Sequence, residues 1–165
     1  MEKQKQLVLK LLSELKFPRT ARPNVAATSY EGFALGKVIS WAGKGERAGY
    51  KKALSQKTKS NKYKEIYKET KKLMKMRDPN FNFSSIQYNK NHKAKKHKDG
   101  HNVGISYIIG LGDYTGGELI VYDAAGKNPK KHNIKNKFYK FNGSIYSHET
   151  APYKGERYTL VFYSI

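Results

Sequence analysis

The chain has 165 residues, one domain's worth by length, and a net charge of +20. Aromatic residues make up 13% of it, too many for a disordered polymer. No apolar run reaches the roughly 18 residues of a membrane span, and there is no cysteine, which excludes disulfides, thiolate zinc sites and a thiol nucleophile. The N-terminal stretch MEKQKQLVLKLLSELK lacks the pattern of a signal peptide, so a cytoplasmic location and no membrane partner are expected.

The charge is uneven. Residues 1–96 hold 24 Lys or Arg against 7 Asp or Glu, and the densest stretch runs from Lys51 to Lys98. Such a field attracts a polyanion, DNA or RNA, or an acidic peptide. The excess of Lys (28) over Arg (5) is also what an AT-rich coding sequence produces, so the charge alone assigns no partner.

In chain order, Leu7, Val8, Leu11, Leu12 and Leu15 predict a helix over 2–16. Pro18 and Pro23 break the chain into a loop. Residues 30–42 are ambiguous, since Gly32 and Gly36 weaken a helix while Phe33, Leu35, Val38 and Ile39 suit a strand. Residues 42–62 are rich in Gly and Lys with no apolar period, and read as a mobile loop or lid. A second helix is expected over 60–77, capped by Ser60 and ended by Asp78-Pro79. Beyond it, short strand-like runs are expected at 81–89, 95–98, 103–109, 117–122, 132–135, 138–141, 144–148 and 157–164. Eight short strands predict a mainly β, α+β chain, a jelly roll with N-terminal helices packed on one sheet. The expected organisation is a single domain, 1–165, with a helical support region over 1–80 and a catalytic core over 81–165.

Within the β half, His97-Lys98-Asp99 places His97 and Asp99 on one face of a strand. His148 follows at the end of GSIYSH, then Arg157 and Thr159, one alternation apart. Two His and one carboxylate are the ligand set of non-haem Fe(II) oxygenases. A guanidinium clamps a carboxylate in bidentate fashion and a threonine hydroxyl adds a bond. His92 and His101 flank the motif as competing ligands.

The ordered set His97-x-Asp99, His148, Arg157-x-Thr159 resembles the 2-oxoglutarate- and Fe(II)-dependent dioxygenases. GLGDYTGGEL is similar to the G-x-x-x-GGEL stretch of that superfamily, and FNGSIYSHETAPYKGERYTLVFYS to its C-terminal pattern. The resemblance covers about residues 81–165 and implies a double-stranded β-helix of eight strands. It implies Fe(II) held by His97, Asp99 and His148, with 2-oxoglutarate anchored by Arg157 and Thr159 and O2 as cosubstrate. The other end of 2-oxoglutarate is expected at Tyr107 or Asn89. Substrate is the open point. Similarity to TET/JBP-type dioxygenases, which also occur in viruses, implies nucleobase hydroxylation, with Tyr63, Tyr67 or Tyr88 stacking on an extruded base. The His148-to-Arg157 spacing resembles the prolyl-hydroxylase branch and implies a protein or peptide substrate. A third possibility is a non-enzymatic, basic nucleic-acid-binding module on an inactive jelly roll.

Overall fold

The computed structural model describes residues 1–42, 45 and 49–165. Two helices, α1 (Glu2–Glu14) and α2 (Lys64–Arg77), precede most of the strands. The described strands are β1 (Arg19–Thr20), β2 (Tyr30–Ala42), β3 (Gly49–Leu54), β4 (Ser85–Lys90), β5 (Ser106–Leu111), β6 (Tyr114–Gly116), β7 (Leu119–Val121), β8 (Lys130–His132), β9 (Tyr139–Phe141), β10 (His148–Thr150), β11 (Tyr153–Gly155) and β12 (Tyr158–Tyr163). The chain is mainly β, and its named strands pair antiparallel.

A large sheet runs β1-β2-β4-β12-β5-β9, with β3 paired to the far end of β2. Its strands alternate. Tyr158, Leu160 and Phe162 of β12, Ile86 and Tyr88 of β4, and Tyr107, Ile109 and Leu111 of β5 join Val8 and Leu12 of α1 and Ile66, Leu73 and Met74 of α2 in one buried cluster. The intervening residues, Gln87, Asn89, Arg157, Thr159 and Val161, face a cavity on the other side. The period of two therefore assigns one face of the sheet to the helices and the other to the site. A small sheet, β10-β7-β8, carries the residues across that cavity, and an antiparallel bridge between His97 and His148 extends it.

The expected helices form, with trimmed ends. Ser60 caps a 3-10 turn over Asn61–Tyr63 rather than α2 itself, its hydroxyl accepting from the Lys62 amide. The segment 1–80 is not only helical: β1, β2 and β3 lie in it, and β2 is a full member of the large sheet. Residues 42–62 are only partly a loop. The tip of the expected lid, 43–44 and 46–48, lies outside the described residues, but Gly49–Leu54 pairs with Lys37–Ala42 as the second arm of a hairpin. An apolar period was the wrong signal there, because β3 is held by backbone hydrogen bonds and its side chains are largely exposed. Residues 95–98 give one bridge instead of a strand. The run at 144–148 starts late, since Ser144 to Tyr146 turn on the Asn142 side chain and carbonyl and pairing begins at His148. Among the described residues, no helix is long and apolar enough to cross a membrane.

Candidate active site

His97 and His148 are set side by side by the bridge between their backbones, His97 N to His148 O at 3.0 Å and His148 N to His97 O at 2.9 Å. Asp99 is fixed by its amide, which donates to the Gly143 carbonyl at 2.8 Å. The carboxylate then faces both imidazoles, Oδ1 at 3.4 Å from His97 Nε2 and Oδ2 at 3.2 Å from His148 Nε2. One ligand atom from each residue lies within 4.8 Å of the others.

The remaining ring nitrogens decide what this cluster is suited to hold. His97 Nδ1 is 2.7 Å from the Lys95 carbonyl and His148 Nδ1 is 3.0 Å from the Tyr146 carbonyl. A carbonyl only accepts, so each Nδ1 carries a proton and Nε2 is the nitrogen that each ring turns toward the carboxylate. Protons on the two Nε2 atoms make these contacts hydrogen bonds, and a metal cation in place of those protons would take the same three residues as ligands. Burial by itself raises the Asp99 carboxyl, but hydrogen bonds and charge from His148 and then His97 outweigh it and hold the group well below the usual carboxylate range. The residues present therefore fit a divalent ion of the Fe(II) type, with two imidazoles and one carboxylate leaving further positions open.

Arg157 immediately precedes β12 and lines the same cavity, 3% exposed. Its Nη1 and Nη2 donate to the carbonyls of His92 (3.3 Å) and Gly117 (2.9 Å), and its Nε has no partner. The Tyr114 and Tyr153 rings lie 5.5 Å from the guanidinium. Among the described residues no carboxylate lies within ion-pair distance of it. A buried guanidinium with an unpaired Nε and no carboxylate in direct contact is suited to an anion from outside the chain. A carboxylate cosubstrate such as 2-oxoglutarate fits that description.

Thr159 and Asn89 also face the cavity, and Asn89 Nδ2 donates to Thr159 Oγ1 at 3.2 Å. Six of the expected residues, His97, Asp99, His148, Arg157, Thr159 and Asn89, thus line one cavity of about 620 Å³.

The expected tyrosines do not. Tyr107 and Tyr88 alternate onto the helix side of the sheet, where Tyr107 Oη donates to Asp78 Oδ2 at 2.8 Å and Tyr88 Oη pairs with Thr70 Oγ1 at 2.6 Å. Tyr63 is buried in the same helix-side cluster, and Tyr67 packs against it. None of the four can reach a ligand in the cavity. The correction follows from alternation: Asn89 faces the site, so Tyr88 cannot, and Ile108 faces it, so Tyr107 cannot.

Other cavity residues come from outside the motif. Arg22, in the loop after β1, donates to Asp99 Oδ1 at 3.3 Å. His92 stacks on Tyr30 with ring centroids 3.7 Å apart. Burial, aided by the charges of Arg157, His97 and Arg22, pushes the His92 imidazole down to about 4. His92 and His101 line the cavity without joining the ligand cluster. No sequence signal marked Arg22 or Tyr30, because Arg22 lies in an irregular segment and Tyr30 is placed by its pairing with Thr20.

Comparison with solved structures bears on the fold. A 2OG-Fe(II) oxygenase family oxidoreductase from Burkholderia pseudomallei matches with a TM-score of 0.61 at 15% identity, over 96% of this chain and 76% of its own. The fold is that of the 2OG-Fe(II) oxygenases. NgTET1, solved in complex with 5mC DNA, matches at TM-score 0.58 and 15% identity over 99% of this chain and 67% of its own. A Pseudomonas putida prolyl-4-hydroxylase matches at 0.51 and 13% over 98% and 85%. No protein-family model and no curated protein matches the sequence.

Proposed function

We propose that the protein is an Fe(II)- and 2-oxoglutarate-dependent dioxygenase that hydroxylates a nucleobase in nucleic acid. The observation that carries the oxygenase half is the pairing, in one cavity, of a His-Asp-His cluster with a buried arginine that lacks an anion. In this reading the two facing sheets form a double-stranded β-helix, and residues 1–165 act as one unit with α1 and α2 as its support. His97, Asp99 and His148 would hold the iron, and Arg157, with Thr159 and Asn89 beside it, would hold the cosubstrate. Iron with bound 2-oxoglutarate supplies the oxidising power, drawn from O2 as the cosubstrate decarboxylates to succinate.

The chain's own contribution is orientation and exclusion. The carbonyls of Lys95 and Tyr146 hold both imidazoles in the ligating tautomer. Arg157 fixes where an anionic cosubstrate lies. Phe141, edge-on to the His148 ring at 5.0 Å, and the Tyr30–His92 stack narrow the water-accessible space around the ligands. No side chain is required as a general base.

The charge favours nucleic acid as substrate. A peptide hydroxylase is the second reading, supported by the His148-to-Arg157 spacing. The test is turnover with Fe(II), 2-oxoglutarate and O2 on a methylated-pyrimidine oligonucleotide, on unmodified DNA and RNA, and on proline-containing acidic peptides, scored by mass spectrometry. Gain of one oxygen on a nucleoside is the expected result. Gain on the peptide alone would overturn the nucleobase assignment, and succinate formation with neither substrate modified would leave only the oxygenase chemistry standing.

A further inference from the structure

The large sheet has one member that overshoots it. β2 is 13 residues long. Its first half, Glu31–Gly36, pairs with β4, whereas its second half, Lys37–Ala42, pairs with β3. The β2–β3 hairpin therefore extends past the sheet as an arm, and its side chains are those of a surface built for contact with something charged. Tyr50 is 63% exposed and nevertheless lines the cavity, its ring 4.9 Å from that of His101. Lys52 lies opposite Ile39, which also lines the cavity, and alternation puts Lys52 on the same face as Tyr50. Lys37, Lys51, Lys57 and Lys59 are exposed around this arm. Between Glu31 and Glu65 the sequence holds a single carboxylate, Glu46.

We infer that the β2–β3 hairpin is a nucleic-acid-binding arm, in which Tyr50 stacks on an unpaired base at the cavity mouth, Lys52 on the same face takes a flanking phosphate, and Lys51 on the opposite face of β3 adds to the positive field. An exposed aromatic ring beside lysines is the combination that binds single-stranded nucleic acid by stacking plus backbone charge. It also supplies a stacking group at the cavity, where Tyr63 and Tyr88, buried on the helix side, and Tyr67, half-buried there, do not reach. A single strand or an extruded base is favoured over an intact duplex, because only an unstacked base presents a face to Tyr50. The inference rests on the nucleic-acid reading above and names the surface that would deliver the substrate to the cavity.

The test is binding by the full chain in the absence of iron, so that it does not depend on turnover. Fluorescence polarisation of a labelled single-stranded oligonucleotide is followed across a salt series. The probe is compared with its duplex and with a poly-glutamate peptide of equal charge. Tyr50→Ala is expected to weaken single-strand binding about ten-fold with an unchanged salt slope, since stacking releases no counterions. The double variant Lys51→Gln, Lys52→Gln is expected to flatten the slope of log K against log salt by about 1 to 1.5. Lys71→Gln, Lys72→Gln on α2, on the helix side, is the control and is expected to change both less. Unaltered affinity in the hairpin variants overturns the arm, as does an equal loss in the α2 control. Equal binding of poly-glutamate, with equal loss on Tyr50→Ala, assigns the arm to acidic peptide instead and also overturns it. If the hairpin variants bind normally while Fe(II) and 2-oxoglutarate still bind in the cavity, the arm fails and the oxygenase reading stands. The reverse pattern separates the two the other way.

Discussion

Gly143 shows how little space the ligand cluster leaves. A Cβ there would sit 3.0 Å from His148 Cε1 and 3.1 Å from Asp99 Oδ2, between two of the three candidate ligands. Gly143→Ala is therefore expected to weaken divalent-metal binding about ten-fold, measured by titration calorimetry with Mn(II), without unfolding the chain. Unchanged affinity would mean the cluster yields more than close packing allows. Gly117 plays the matching part for the anion site: its φ is +69°, and a Cβ would lie 2.6 Å from Arg157 Nε. Removing the guanidinium itself, Arg157→Gln, is expected to raise the 2-oxoglutarate concentration needed for half-saturation about 100-fold, the scale of a lost buried charge-assisted hydrogen-bond pair. His92 makes a prediction about pH. Its imidazole titrates at about 4 in the fold, against about 6.5 in an unfolded chain. The unfolded state therefore binds a proton first as pH falls, and stability drops between about pH 6.5 and 4. Urea midpoints of the wild type should fall across that window more steeply than those of His92→Gln, and parallel curves would contradict the assignment.

Among the elements, the metal motif and the last strand were legible because their chemistry is local. His97 is placed by its bridge to His148 and Asp99, two residues on, by its amide hydrogen bond to Gly143, while Arg157, just before β12, and Thr159 within it face the same cavity. The tyrosines were not legible, because an aromatic residue in a strand does not say which face of the sheet is the core. Only the neighbouring registers, with α1 and α2 packed on one side, settle that Tyr88 and Tyr107 belong to the helix side. The consequence is testable. Tyr107→Phe is expected to leave the 2-oxoglutarate requirement unchanged, and Tyr88→Phe to cost about 1 kcal/mol of stability through its lost bond to Thr70. A change in cosubstrate requirement in either would return that residue to the site. β3 escaped the sequence for a different reason: with side chains largely exposed, it needs no apolar signature, only a backbone partner in β2.

On the scale of the whole molecule, the large sheet divides labour. One face is dry and packed by two helices, which contribute much of the apolar core and fix the strands. The other face presents Asn89, Arg157 and Thr159 to a cavity whose far wall carries the ligand cluster. The β half of this plan could be read from the order of its motifs. The share taken by residues 18–54 could not, since a Pro-bounded loop and an exposed hairpin have no period of their own. The central claim is that one cavity holds both a metal and a 2-oxo acid. The most direct measurement is anaerobic: Fe(II) is added to the chain, then 2-oxoglutarate, and the visible metal-to-ligand charge-transfer absorption is recorded for the wild type and for His148→Ala. The account predicts a band in the wild type that needs both additions and is lost in the variant. A wild type that never develops the band, or a variant that keeps it, would contradict the assignment of His97, Asp99 and His148 as the metal site.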